Sequence, residues 1–181
     1  MAVRERLIAQ IMQDPGTFGL SEAKFIHTPQ IFTAPAVRLR CQYTCSQVRQ
    51  SDLVPPHTPQ HDETRIIIDS YKYGLLLRRE EPFGQRDIRG VWSEFSRDVL
   101  EIERQSQVRG YTQAFALAIG NCLYLHHDDS LRPCDFPQKR RPTFEAIGIE
   151  LRETLEMVLW QDYVVREADA PFQLFALLLL E

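Results

Sequence analysis

Long apolar runs are scarce in this chain. The most apolar stretch, Phe172 to Glu181 (FQLFALLLLE), has about ten residues, whereas a helix needs roughly 20 to cross a bilayer. It reads as a buried strand, and no membrane partner is expected. A surplus of positive charge is missing as well: 21 Lys and Arg stand against 25 Asp and Glu, for a formal net charge of -4. Nucleic acid is recognised through concentrated basic charge, so it is not an expected partner either. Lys139, Arg140 and Arg141 do cluster, and read as a solvated surface turn. The first residues carry Glu5 and Asp14 without a long apolar run, unlike a secretory signal or transit peptide, so the expected location is the cytoplasm. There is no Gly-rich phosphate loop, G-x-S-x-G elbow or H-E-x-x-H motif, which removes the common nucleotide, esterase and zinc-protease signatures.

Cysteine is sparse too. Four thiols in a reducing compartment do not form a disulfide framework; metal binding, reactivity or burial remain. With 44% apolar residues among 181, the chain is long enough for one sizeable core and too short to demand a second domain. The expectation is a single compact α+β domain over residues 1–181, with a mixed sheet packed against a few helices.

The first twelve or so residues read as an amphipathic helix with Leu7, Ile8, Ile11 and Met12 on one side, stopped by Asp14-Pro15-Gly16. From Ala23 to Arg40, short alternating runs including Phe25, Ile31, Val37 and Leu39 are interrupted by Pro29 and Pro35, and read as strands or edge segments. Thr58 as an N-cap ahead of Pro59 opens a helix to about Tyr71. Tyr73 to Arg78 suits a buried strand. Between Asp87 and Arg109, Ile88, Val91, Trp92, Phe95, Val99 and Ile102 form one apolar stripe at helical spacing. That stripe assigns Trp92 and Phe95 to the core rather than to a cofactor platform. A strand from Tyr111 to Ile119, a short helix from Pro142 to Ile147 stopped by Gly148, a helix from about Glu150 to Trp160 and a strand from Phe172 to Leu180 complete the order.

Chemistry-bearing residues concentrate between Cys122 and Gly148, in CLYLHHDDSLRPCDFPQKRRPTFEAIG. The upstream counterpart is Cys41 and Cys45, ahead of Pro55-Pro56-His57. Both pairs read as following strand ends, where a rigid frame commonly positions ligands. Thiolates favour zinc, copper(I) and iron–sulfur clusters, and imidazole can complete a zinc or iron site. Cys41, Cys45, Cys122 and Cys134 therefore supply enough ligands for one tetrahedral zinc or one four-iron cluster if the two loops meet. The intervening three and eleven residues lack the tight C-x-x-C spacing of a zinc ribbon, so unligated structural cysteines compete with this reading. Only one of the adjacent His126 and His127 can join a site, because neighbours on an extended chain point to opposite sides. A Cys–His nucleophile pair, such as Cys122 with His126 or His57, stays open because such pairs are spatial. Asp128 and Asp129 read as solvated turn residues.

The order of motifs resembles the DUF2284 family of predicted metal-binding proteins, from about Arg38 to the terminal strand. The matching pieces are RCQYTC, VPPHTP, DETRIIIDSYKYGLLL, EIERQSQVRGYTQAFALAIGNC and LRPCDFPQKRRPTFEAIGIELRETL. The resemblance implies a cysteine-rich site in two motifs, the first ending in C-P-P and the second holding several closely spaced cysteines. In this chain Val54 stands at the C-P-P cysteine, and Leu125 and Asp128 stand where further cysteines would follow Cys122. The expectation is one reduced site of structural, redox or sensory role, built from Cys41, Cys45, Cys122, Cys134 and His126, holding zinc or an iron–sulfur cluster, with no catalytic residue assigned. The alternative is a metal-free interaction or scaffold protein that retains the fold. A third reading makes Cys122 or Cys134 the nucleophile or redox thiol of an enzyme. A protein partner and a homodimer are both left open.

Overall fold

The computed structural model describes residues 3–44, 53–82, 84, 86–118, 137–160 and 171–181. In chain order the elements are α1 (Val3–Gln13), β1 (Glu22–His27), α2 (Pro35–Thr44), α3 (His61–Asp69), β2 (Tyr73–Glu81), α4 (Ile88–Val108), β3 (Phe115–Ala118), α5 (Leu151–Met157) and β4 (Phe172–Leu180), with short 3-10 turns between several of them. The expected α+β arrangement is the one that forms. Among the described residues, four strands run in the order β1-β2-β4-β3, and their three ladders are antiparallel. The expected mixture of directions is reduced, among the described residues, to one parallel bridge between Ala118 and Thr143.

β4 is apolar along nearly its whole length because both faces of the sheet are covered. Alternate side chains of a strand point to opposite faces. On one face, Leu75 and Leu77 of β2 and Leu174, Ala176, Leu178 and Leu180 of β4 meet Leu7, Ile8 and Ile11 of α1 and Val91, Phe95, Val99 and Ile102 of α4. On the other, Leu76, Leu177 and Leu179 meet Ile26, Ile31, Ile68, Phe144, Ile149, Leu155 and Trp160. From Val91 to Ile102 the apolar stripe of α4 packs as its spacing dictates, with Phe95 in this core and Trp92 partly buried against it, whereas Ile88, expected on the same stripe, is exposed. Asp87 caps α4 by accepting a hydrogen bond from Gly90 N at 3.0 Å. Buried Arg79 ties β2 to the same helix by pairing with Asp98 while donating to the Gly19 carbonyl.

Gly74 permits the close approach of the two central strands. A Cβ there would lie 2.7 Å from the carbonyl oxygen of Leu178 and 3.1 Å from Leu177 Cδ1. A backbone oxygen inside a ladder cannot swing aside, so Gly74→Ala is expected to cost about 1–3 kcal/mol, in the range of core overpacking. Urea unfolding checks it: a midpoint equal to that of the parent chain means the strands are not packed this closely.

Several elements differ from the expectation. Val37, Leu39 and Cys41 lie on α2, not on strands or at a strand end. Pro35, read as a strand breaker, is the first residue of that helix, where its missing N–H costs nothing. α3 is capped by Gln60, not Thr58: Gln60 N donates to Glu63 Oε2 at 2.7 Å, completing a capping box. The strand expected from Tyr111 starts only at Phe115, because Tyr111 to Ala114 form a turn closed by Ala114 N donating to Tyr111 O at 2.9 Å; Ile119 lies outside the described residues. The helix expected from Pro142 is a single 3-10 turn, Glu145–Ile147, ended by Gly148 in the left-handed conformation. Met12 is exposed rather than part of the core. No helix among the described residues is long and apolar enough to cross a membrane.

Candidate metal centre

Of the five expected ligands, Cys41 alone belongs to the described residues. It sits on the inner face of α2, 8% exposed, packed with Val54 and Ala146. Cys45, Cys122, His126 and Cys134, together with His127, Asp128 and Asp129, lie outside the described residues. Their flanks are described. α2 ends at Thr44, one residue before Cys45; β3 ends at Ala118, four residues before Cys122; the described chain resumes at Pro137, three residues after Cys134. His57 is an exposed turn residue whose N–H donates to Val54 O at 3.1 Å.

These flanks converge on one turn, Thr143 to Gly148. Ala118 N donates to Pro142 O at 3.4 Å, and Ala118 bridges Thr143. Thr143 Oγ1 accepts from Ala146 N at 3.2 Å. The Ala146 carbonyl accepts from the buried hydroxyl of Thr58 at 2.6 Å. Arg38, buried on α2 one turn before Cys41, donates to Pro59 O at 2.9 Å and to Thr58 O at 3.1 Å. Ala34 N, at the start of α2, donates to Gly148 O at 2.8 Å. Gly148 is required here: its φ is +83°, and a Cβ would come within 3.4 Å of both Ala34 O and Arg38 Cβ. The stems of the two cysteine-bearing segments thus share one hydrogen-bonded frame.

A buried ion pair completes it. Glu103 of α4 is 3% exposed, and its Oε2 accepts from Arg141 Nε at 2.8 Å and from Ala116 N of β3 at 2.7 Å. Its Oε1 accepts from a second guanidinium nitrogen of Arg141. The Arg141 guanidinium also lies 4.9 Å from the ring centroid of Phe115. Arg141 is therefore a half-buried anchor and not the solvated turn residue expected from the Lys139-Arg140-Arg141 cluster. Tyr71, whose hydroxyl donates to Gln113 O at 3.0 Å, has its phenol held above its ordinary range by burial and by the Glu103 carboxylate.

Sequence reasoning passed over Arg38 and Glu103, and gave Thr58 only the part of a helix N-cap. One signal was available: Glu103 continues the apolar stripe of α4 at four residues from Val99, and a carboxylate on a buried face calls for a partner. The partner itself, 38 residues away, has no sequence signature. His61 was also unremarked. It opens α3 beside Gly148, and its buried Nδ1 has no hydrogen-bond partner among the described residues.

Among the described residues no three His, Cys, Asp or Glu side chains form a group that could hold a metal ion. Of the expected donors the described residues place one, the Cys41 thiol on α2. No curated protein and no solved structure matches the chain significantly. The family model described as "Predicted metal-binding protein (DUF2284)" matches residues 24–180, from β1 through β4 and across both cysteine segments. The chain therefore belongs to the DUF2284 family of predicted metal-binding proteins.

Proposed function

We propose that this protein binds one zinc ion or one iron–sulfur cluster between its two cysteine segments, in one domain spanning residues 1–181, with Cys41, Cys45, Cys122 and Cys134 as thiolate ligands and His126 as the imidazole donor. Family membership supports metal binding in general. The observation that carries the particular site is the turn from Thr143 to Gly148, which is hydrogen-bonded both to the stems of residues 119–136 and to the frame of α2 that holds Cys41. Held ends shorten the distance a loop must close, so less loop-closure entropy opposes binding. Bound zinc supplies a structural cross-link, and a bound cluster adds one-electron chemistry. The role is structural, redox or sensory, and a reducing cytoplasm would keep the thiols available.

A second reading, a scaffold that has lost its metal, is favoured by Val54. This buried valine packs against Cys41 where the family pattern has a thiolate, and apolar packing of that kind can stabilise a loop that an ion otherwise organises.

Zinc and iron analysis of protein purified without oxygen, with its visible absorption spectrum, separates the two. The metal reading expects stoichiometric metal, and expects the Cys41→Ser/Cys122→Ser double variant to lose both metal and stability. In a chain of this size each kcal/mol lost lowers the melting midpoint by about 2–4 °C. Sub-stoichiometric metal that reconstitution does not raise, together with an unchanged midpoint in the double variant, would sink it in favour of the scaffold.

A further inference from the structure

We propose that the cleft where β2 ends, β4 begins and α4 starts binds a small ammonium compound with an apolar body, and that Glu81 receives its nitrogen. The inference is independent of the metal reading, since no cysteine or histidine lines this cleft among the described residues.

Three element ends meet here. The β2–β4 ladder closes on the rung Glu81–Phe172, the chain leaves β2 through Pro82, and α4 starts at Ile88 behind its cap Asp87. Between them lies a cavity of about 240 Å³. That is somewhat below the roughly 300–1,000 Å³ of drug-sized sites, so it suits a small molecule. Pro82, Ile88, Val91 and Phe172 give it apolar walls. Val91 is buried in the core and Phe172 packs against it, with its ring centroid 6.2 Å from that of Trp92. Ile88 leaves 44% of its surface exposed beside the cleft, where an apolar ligand body can cover it.

The charged groups decide the sign of the ligand. Arg86 is the one cation lining the cleft among the described residues, and its guanidinium is engaged on two nitrogens, at 2.6 Å from Glu94 Oε1 and at 3.4 Å from Glu81 Oε1. Arg79, two residues before Glu81, is paired with Asp98. The start of α4, otherwise attractive to an anion, is occupied by its own Asp87, which accepts from Gly90 N at 3.0 Å. An anionic ligand would have to displace one carboxylate and lie beside others. A cation meets the opposite situation at Glu81. This side chain is only 18% exposed, so water reaches it poorly, and at 3.4 Å its bond from Arg86 lies at the weak end of hydrogen bonding. A half-buried carboxylate gains most from a further charge-assisted donor. An ammonium group supplies that donor while its apolar substituent rests on Ile88 and Phe172.

Benzylamine is the probe, and benzoate its control of equal ring size and opposite charge. Both are titrated into the full chain and followed by NMR at the Ile88 methyl groups and the Trp92 indole N–H. Benzylamine is expected to give saturable shifts at both positions, and benzoate none. Glu81→Gln should weaken benzylamine binding about tenfold or more, the loss of one charge-assisted hydrogen bond, and Ile88→Ser should weaken it by a smaller factor. Glu81 ends its strand and Ile88 is exposed, so both variants should keep the parental melting midpoint, measured alongside. Absent or unsaturable benzylamine shifts overturn the proposal. So does equal binding of benzoate, which would make Arg86 the group that selects the ligand, and so does parental benzylamine affinity in Glu81→Gln. The two probes compared on the parent chain decide the charge preference whether or not a variant folds.

Discussion

Glu103→Ala is expected to destabilise the metal-free protein by about 3–5 kcal/mol, the range for removing one member of a buried ion pair. The loss has two physical sources. Arg141, with a side chain only 15% exposed, keeps its charge in a place where water only partly replaces the carboxylate. The Ala116 N–H loses its acceptor at the outer edge of β3, and an orphaned donor in a buried place costs free energy of its own. Most of the loss should vanish in Glu103→Leu/Arg141→Met, where no charge is stranded. Chemical unfolding of the two variants beside the parent chain is the measurement. Equal losses in single and double variants would mean that the stranded charge is not the source, and that the orphaned Ala116 N–H or the pair's net attraction carries the loss.

Phe144→Ala is the second large effect, also at about 3–5 kcal/mol, because it removes a fully buried aromatic ring and leaves a cavity. Phe144 has no solvent exposure and packs in the cluster that contains Ile26, Ile31, Leu76, Leu117 and Leu155. Its carbonyl also accepts from Ile149 N at 2.9 Å across the turn. The damage should therefore spread to Ala146, two residues on, which packs against Cys41. Alkylation of the metal-free protein, read at Cys41 by peptide mass mapping, is expected to run faster in the variant. A variant that loses stability while Cys41 stays as protected as before would show that the ring supports the sheet and not the turn.

How far the sequence discloses this architecture depends on where each element finds its partners. α4 and β4 were legible because burial alone shapes them. One face of α4 and both faces of β4 are covered by apolar side chains, so periodicity and an unbroken apolar run carry the whole message. β4 begins and ends at the residues expected, Phe172 and Leu180. α2 was misread for the opposite reason. Its buried face includes Arg38, and its outer face carries Leu39 and Tyr43, which are 57% and 78% exposed. Only the carbonyls of Thr58 and Pro59, some 20 residues downstream, make an inward arginine acceptable. The candidate site is legible in the same uneven way. The cysteines and the family pattern stand in the sequence, whereas the pair that joins the stems is a contact between residues 103 and 141 that no local pattern encodes.

The strand order has a consequence for synthesis. Among the described residues β3 has one strand neighbour, β4, and β4 also covers the inner edge of β2. Of the ladders among the described residues, a nascent chain that has emerged through α5 can form the β1–β2 ladder but neither ladder of β4. Leu75, Leu76 and Leu77 wait with one flank unpaired, and Phe115 to Ala118 wait with none of their strand partners, until residues 172–180 leave the ribosome. β4 closes both cores, so a chain lacking it exposes an apolar edge of the kind that favours aggregation.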